Sequence, residues 1–260
     1  MMEDGERTLY ELHSCLNDFK DRVKQARRIA EGGFATMEHP YASLSFGKDS
    51  IVMVHLLLSL NPHLPVMYVN CGEWDEWPDT PRAKKEFLKR FPCNFIELRG
   101  PSIMEAYRAA GFYIQEQEDS QDARRVESLY SKSLAEILTA AGRWHGFDGA
   151  FIGLRKEESY GRARLFQARG ALYFAETRRA WACHPIIHLT ARDVWAYIVK
   201  YDLPYNELYD LDPRGREIAR NGAMFGTRSK YLDRMAFLRQ MYPDWFNRFA
   251  AEFPEVRCYV

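Results

Sequence analysis

The densest chemistry in this chain lies in six residues, Ser45-Phe46-Gly47-Lys48-Asp49-Ser50. They follow the apolar run Tyr41–Leu44 and precede the apolar run Ile51–Leu58, an order that reads as strand, tight polar turn and helix. A helix start of this kind turns backbone N–H groups and a positive dipole end toward one spot, which suits a phosphate. Gly47 lets backbone approach the anion, Lys48 supplies a point charge, and the Ser45 and Ser50 hydroxyls donate. Asp49 is repulsive to phosphate unless it orients the loop or holds a metal ion. A Walker loop needs another spacing, with four residues between its glycines and then Lys-Ser/Thr.

A second charged loop, Gly153-Leu154-Arg155-Lys156-Glu157-Glu158-Ser159-Tyr160-Gly161-Arg162, follows the apolar run Gly149–Leu154. Its arginine forks fit phosphate or sulfate, and they also fit internal pairing with Glu157 and Glu158. From Arg155 to Arg179 seven Lys/Arg face three Glu, a local surplus in a chain with net charge zero. Cys183, His184 and His188 have metal-ligand chemistry, but without a second cluster their spacing suits packing and helix capping. Asp75 and Glu76 are hard oxygen donors for Mg²⁺, or members of a solvated acidic loop.

The six-residue turn resembles the PP-loop, S-[GF]-G-x-D-S, of the N-type ATP pyrophosphatases and the phosphoadenylyl-sulfate (PAPS) reductase family. The second loop resembles that family's G-[IL]-R-x-x-E-S-x-x-R motif. Cys183-His184-Pro185-Ile186 through Thr190-Ala191-Arg192-Asp193-Val194-Trp195, continued by Leu203-Pro204-Tyr205-Asn206 and Leu208-Tyr209, is similar to its C-x-P-[IL]-x-x-[WL]-T-x-x-D-V-W segment. The resemblance spans about Tyr41 to Tyr242. It implies an adenine nucleotide α hydrolase-like fold that binds an adenine nucleotide or sulfonucleotide through Ser45, Phe46, Gly47, Lys48, Asp49, Ser50, Gly72, Gly153, Arg155, Glu158, Ser159 and Arg162. Lys48, Asp49, Arg155 and Arg162 would carry catalysis, with Asp49 and Asp75 as Mg²⁺ ligands.

Departures from the family narrow the chemistry. Reductases carry a cysteine in a C-terminal E-C-G-L-H tail, whereas this chain ends Glu255-Val256-Arg257-Cys258-Tyr259-Val260. Arg257 favours a thiolate at Cys258, so a nucleophilic role there stays open. Iron–sulfur relatives use paired cysteines or G-C-x-x-C, and the matching stretch here is Gly222-Ala223-Met224-Phe225-Gly226, so no cluster is expected. Where relatives read V-D-T-G, this chain has Asn70-Cys71-Gly72 and a longer spacer to Pro78-Asp79-Thr80. What is left implies a transferase that cleaves ATP between the α and β phosphates and adenylylates an unknown acceptor, with ATP and Mg²⁺ required. Three alternatives stay open: a reductase using Cys258, an ATP sulfurylase subunit with a GTPase partner, and a nucleotide-binding accessory protein of a nucleic-acid modification or type IV CRISPR defence system. The basic segment Arg214–Arg234 would serve the last, or form a solvated helix face.

The elements that must hold these loops alternate along the chain. Leu9, Leu12, Leu16, Phe19, Val23 and Ala26 fall on one helical stripe that stops near Gly32-Gly33. Strands are expected at Tyr41–Leu44, Leu64–Val69, Asn94–Leu98 and Gly149–Leu154, and helices from Pro78 to Phe91, from about Val126 to Ala141, and from Thr190 to Lys200. Such alternation predicts an α/β fold, a mostly parallel twisted sheet with helices on both faces and helical elaborations at both ends. The expected division is an N-terminal helix over residues 1–33, the nucleotide-binding domain over 34–210, and a helical extension over 211–260. Apolar content of 47% and charge of 28% fit a globular chain. No apolar stretch is long enough to span a bilayer, the N-terminus lacks a signal-peptide core, and five scattered cysteines suit reduced thiols, so a cytoplasmic protein is expected. A homodimer is left open.

Overall fold

The computed structural model describes residues 2–72, 76–102, 105, 108, 132, 136–221 and 232–260. Six strands form one sheet: β1 (Pro40–Ser43), β2 (Pro65–Asn70), β3 (Asn94–Arg99), β4 (Gly149–Phe151), β5 (Leu172–Ala175) and β6 (Ala180–Cys183), in the order β3-β2-β1-β4-β6-β5. All neighbours are parallel except β5, which runs antiparallel to β6. The expected mostly parallel α/β sheet is therefore present. The β5–β6 hairpin was not expected, since its strands have four residues each and its turn holds neither Gly nor Pro. The strand expected over Gly149–Leu154 stops at Phe151, which leaves Ile152 to Leu154 as the loop carrying the arginines.

The helices are α1 (Asp4–Cys15), α2 (Asn17–Thr36), α3 (Lys48–Leu58), α4 (Thr80–Arg90), α5 (Tyr160–Arg169), α6 (Ala191–Lys200), α7 (Leu208–Leu211), α8 (Leu232–Met241) and α9 (Pro243–Glu252), with residues 136–145 also helical. The helix expected from Val126 falls largely outside the described residues, and its described part runs past Ala141. The single N-terminal stripe is in fact two helices that meet at Leu16, and Leu9, Leu12 and Leu16 are exposed rather than packed. Helix α2 also passes through Gly32-Gly33 to Thr36. Gly33 does not end it because the position serves packing: a Cβ there would lie 2.5 Å from the Phe151 ring and 2.9 Å from Cys183 Sγ.

One face of the sheet, with Ala42, Val66, Phe151 and Cys183, packs into a core shared with α2, α3 and α6. Asp193 of α6 ties this layer together, accepting from Arg22 Nε (2.7 Å) and Nη2 (3.0 Å), bonding His13 Nε2 (2.8 Å), and closing a capping box with Thr190. The other face, with Tyr41, Ala150, Tyr173 and Ala182, meets helical residues 136–145 and α5. Helices α8 and α9 reach back to the segment before α4, where Trp77 packs on Phe237 and Tyr242, and Tyr242 Oη donates to Asp79 at 2.5 Å. Among the described residues no helix is long and apolar enough to cross a membrane.

Candidate functional site

Strands β1 and β4 are parallel neighbours, so the loops that follow them open at the same carboxyl edge. They touch there. A Cβ on Gly153 would lie 3.1 Å from Ser50 Cα and 3.2 Å from Ser50 N, so only glycine admits the start of α3 so near the arginine loop.

The PP-loop is held from inside. Phe46 sits at φ +54°, left-handed for a non-glycine residue, and its buried ring packs on Tyr68, Phe87 and Phe95. It anchors the turn in the core and presents no side chain to the cavity. Gly47 has an ordinary φ of −77°, so the special conformation belongs to its predecessor. Ser50 Oγ donates to Gly47 O (3.0 Å) and accepts from Ser45 N (3.1 Å), and the two serine hydroxyls lie 3.1 Å apart. First-turn N–H groups of a helix lack intrahelical acceptors. That of Lys48 donates to Tyr209 Oη at 3.1 Å.

Around this loop the structure assembles a cavity of about 550 Å³, within the range of small-ligand sites. Ser45, Gly47, Lys48, Asp49 and Ser50 form one wall, and Gly153, Leu154, Glu158 and Arg162 form the other. Lys48 is 2% exposed, donates from Nζ to Ala219 O at 2.6 Å, and lies over the Tyr209 ring. Burial pushes its ammonium below the ordinary lysine value, opposed by Asp49 and reinforced by Arg155. Arg155 is 3% exposed and bridges the walls, with Nε 2.5 Å from Asp49 Oδ1 and Nη1 3.0 Å from Glu157 Oε1. Burial opposes its charge, but Asp49 and Glu157 outweigh that and keep it ionised. Arg162 pairs with Glu158 one turn away. Burial pushes the Glu158 carboxyl up, yet the Arg155 N–H and the Arg162 guanidinium bring it below the usual carboxylate range.

Of the two expected readings of the arginine loop, the structure shows the internal pairing: Arg155 is paired with Asp49 and Glu157, and Arg162 with Glu158. Ser159 caps α5, accepting from Arg162 N at 3.2 Å. Gly72, at φ +102°, lines a different hollow with Asn70, Glu97 and Arg108. Asp75 and the stretch Gly222–Gly226 lie outside the described residues. Cys258 is exposed in a terminal 3₁₀ turn (Pro254–Tyr259) and is not among the residues lining the cavity. Cys183 and His184 are buried, and among the described residues no group of three metal-binding side chains forms.

Residues 207–221 complete the cavity, and sequence reasoning did not place them there. Tyr209, Arg214, Ile218, Arg220 and Asn221 line its outer side. Arg214 is bidentate on Asp212 (2.9 and 2.7 Å), and Arg220 Nη2 donates to Glu158 O at 2.8 Å. Tyr209 carried only its place in the family-like segment, and residues from Arg214 on carried only a basic stretch, which fits a solvated helix equally well.

A family model described as the phosphoadenosine phosphosulfate reductase domain matches residues 39–247. Among curated proteins, the chain is 31% identical over 204 residues to phosphoadenosine 5′-phosphosulfate reductase of Xanthomonas axonopodis pv. citri, covering 75% of this chain and 76% of that one. A reductase of Gloeobacter violaceus is 29% identical over 170 residues, 64% of each chain. Two solved structures share the fold. PAPS reductase from Candida auris aligns with TM-score 0.55 and 18% identity over 81% of this chain and 93% of that chain. U34-tRNA thiolase NcsA from Methanococcus maripaludis aligns with TM-score 0.52 and 17% identity over 92% and 79%. With its PP-loop, its arginine loop and most of its length matched, the chain belongs to the phosphoadenosine phosphosulfate reductase domain family.

Proposed function

We propose that the cavity binds an adenine nucleotide by its phosphate chain, and that the chain cleaves ATP between the α and β phosphates to adenylylate an acceptor. The observation that carries this reading is the arrangement of Lys48 and Asp49 at the start of α3, opposite Glu158 and Arg162 in a cavity of nucleotide size, with the buried Arg155 bonded directly to Asp49. Both guanidiniums are held in place by carboxylates whose positions incoming phosphate oxygens can take over. Mg²⁺ arriving with the nucleotide would supply charge neutralisation. Asp49, with 17% of its side chain exposed, is the carboxylate placed to share it, and one protein carboxylate plus phosphates is an ordinary Mg²⁺ set. In the reaction an acceptor oxygen attacks the α phosphorus, the Pα–O–Pβ bridge breaks, pyrophosphate leaves, and the acceptor's proton passes to solvent. The α3 N-terminus and Lys48 hold the departing pyrophosphate, while Arg155 and Arg162 meet charge developing on the phosphoryl oxygens. Calorimetry tests the site. Lys48→Ala and Asp49→Asn should each weaken Mg-ATP about tenfold or more, the loss of a charge-assisted contact. Unchanged affinity in both variants would remove the assignment.

A second reading is favoured by the names of the curated relatives, with Cys258 exposed near the chain's end as the nucleophile. Thioredoxin-dependent sulfite release from PAPS that disappears in Cys258→Ser would replace the adenylylation reading. No such release is expected.

A further inference from the structure

The larger cavity lies on the other face of the sheet. It has a volume of about 710 Å³ and a floor of small residues, Ala150, Ala180 and Ala182, with Ala150 and Ala182 in direct register on β4 and β6. Its walls are aromatic, with Tyr41, Phe147, Tyr173 and Trp181. Arg143, Arg169, Arg178 and Arg179 stand at its rim, all exposed. None of the four has an ion-pair partner among the described residues, and none of the described lining residues is acidic. Asp148, between the lining residues Phe147 and Gly149, spends its oxygens on the backbone N–H groups of Glu38 (2.8 Å) and His39 (2.9 Å). Glu176, in the same turn as Arg178 and Arg179, offers them only its backbone carbonyl, which accepts from Arg179 N at 3.2 Å.

Four arginines around an aromatic hollow, none ion-paired among the described residues, stand out in a chain of balanced charge. The surplus between Arg155 and Arg179 divides here. Arg155 and Arg162 are neutralised beside the PP-loop, while Arg169, Arg178 and Arg179 reach this second cavity with no ion-pair partner among the described residues. Arg179 is held at φ +49°, a conformation that costs a non-glycine residue stability, so the turn presents its guanidiniums at a local expense. Arg169 already lies 5.4 Å from the Tyr173 ring, as guanidiniums do at stacking platforms. Trp144, next to Arg143, is 87% exposed.

We propose that this hollow binds single-stranded nucleic acid, with bases against the aromatic walls and successive phosphates on the rim arginines. A strand fits better than a free nucleotide because the charges come from three separate elements, residues 136–145, the end of α5 and the β5–β6 turn. Backbone-tracking arginines with aromatic platforms are the general chemistry of single-strand recognition. The turn carrying Arg178 and Arg179 links antiparallel β5 to β6 and so lies at the amino edge of the sheet, away from the PP-loop. Among the described residues Leu154 is the one lining residue the two cavities share, so the proposal does not rest on what the PP-loop cavity does.

The test is fluorescence anisotropy with a fluorescein-labelled six-nucleotide thymidine strand, in saturating Mg-ATP, between 50 and 200 mM salt. Wild-type protein should bind, with a log–log salt slope of about −1.4 to −2.8 for two to four phosphate contacts on a single strand. Replacing both Arg178 and Arg179 with Ala should weaken binding at least tenfold and reduce the slope by about 1.4. Arg143→Glu, on a separate element, should weaken it comparably and covers the case in which the turn variant melts early. Lys48→Ala should bind the strand as wild type does. The proposal is overturned by no wild-type binding up to about 100 µM, by equal affinity in wild type and Arg143→Glu, or by thymidine monophosphate competing as well as the strand.

Discussion

Removing Arg155 should expose how the PP-loop cavity is held together. The side chain is 3% exposed and serves two carboxylates, Asp49 at 2.5 Å and Glu157 at 3.0 Å. Breaking a buried pair by deleting one partner costs about 3–5 kcal/mol, because the other charge is stranded. Here the stranded groups keep some water, Asp49 with 17% and Glu157 with 41% of the side chain exposed, which brings the expected loss in Arg155→Ala to about 3 kcal/mol. For a chain of this size each kcal/mol lowers the melting temperature by roughly 2–4 °C, so a fall of about 6–12 °C follows. In the double variant with Asp49→Asn one of the two stranded charges is gone, and the combined loss should be smaller than the sum by about 1–2 kcal/mol. Thermal and urea unfolding followed by circular dichroism measure this cycle. Nucleotide binding adds a sign test. Asp49→Asn releases one of the two carboxylates on Arg155 and removes a repulsive charge, so it should bind ATP more tightly than wild type in EDTA and more weakly in Mg²⁺. A melting temperature within 2 °C of wild type for Arg155→Ala, or strictly additive losses, would refute the bridging role.

Other outcomes follow from geometry already described. Gly153→Ala places a methyl 3.1–3.3 Å from backbone atoms of Asp49 and Ser50, so it should cost about 1–3 kcal/mol by urea unfolding and loosen ATP binding with it. Asp193→Asn should cost about 3–5 kcal/mol and loosen α1 and α2 in hydrogen exchange. Burial pushes the Asp193 carboxyl up, but Arg22, His13 and Thr190 outweigh that and hold it down, so its contribution is present above the usual aspartate value and fades below it. His184 runs by the opposite chemistry. Burial pushes its imidazole down to about 4, so it stays neutral when folded and takes up a proton on unfolding below about 6.5. That stabilisation is complete above pH 6.5 and is lost toward pH 4, about 3 kcal/mol in all, and His184→Phe should flatten the slope in urea titrations at the two pH values.

The parts legible in advance were those encoded locally. The strand, turn and helix around residues 45–50 and the capping box at Thr190 and Asp193 are short-range patterns, and both stand in the structure. The β5–β6 hairpin was missed because Glu176-Thr177-Arg178-Arg179 contains no residue that announces a turn, and the left-handed residue is an arginine. The leucine stripe of α1 misled because periodicity reports an apolar face and cannot report whether anything covers it. Phe46 looked like part of a ligand motif and is instead the loop's root in the core. Tyr209 and Ala219 bond Lys48 across 161 and 171 residues, and no local pattern carries a contact of that span.

That span has a consequence for how the protein comes into being. Chains emerge during synthesis at about 5–20 residues per second, so the start of α3 exists for roughly 8–30 seconds before Tyr209 is made. Throughout that interval the Lys48 ammonium and its N–H lack the partners that the finished fold supplies, while the sheet strands that flank them, β1 and β2, are already available to pair. The PP-loop cavity is thus the late-closing part of the molecule. On the proposed function, an adenine nucleotide abundant in the surrounding solution can meet the half-built loop before its own protein does.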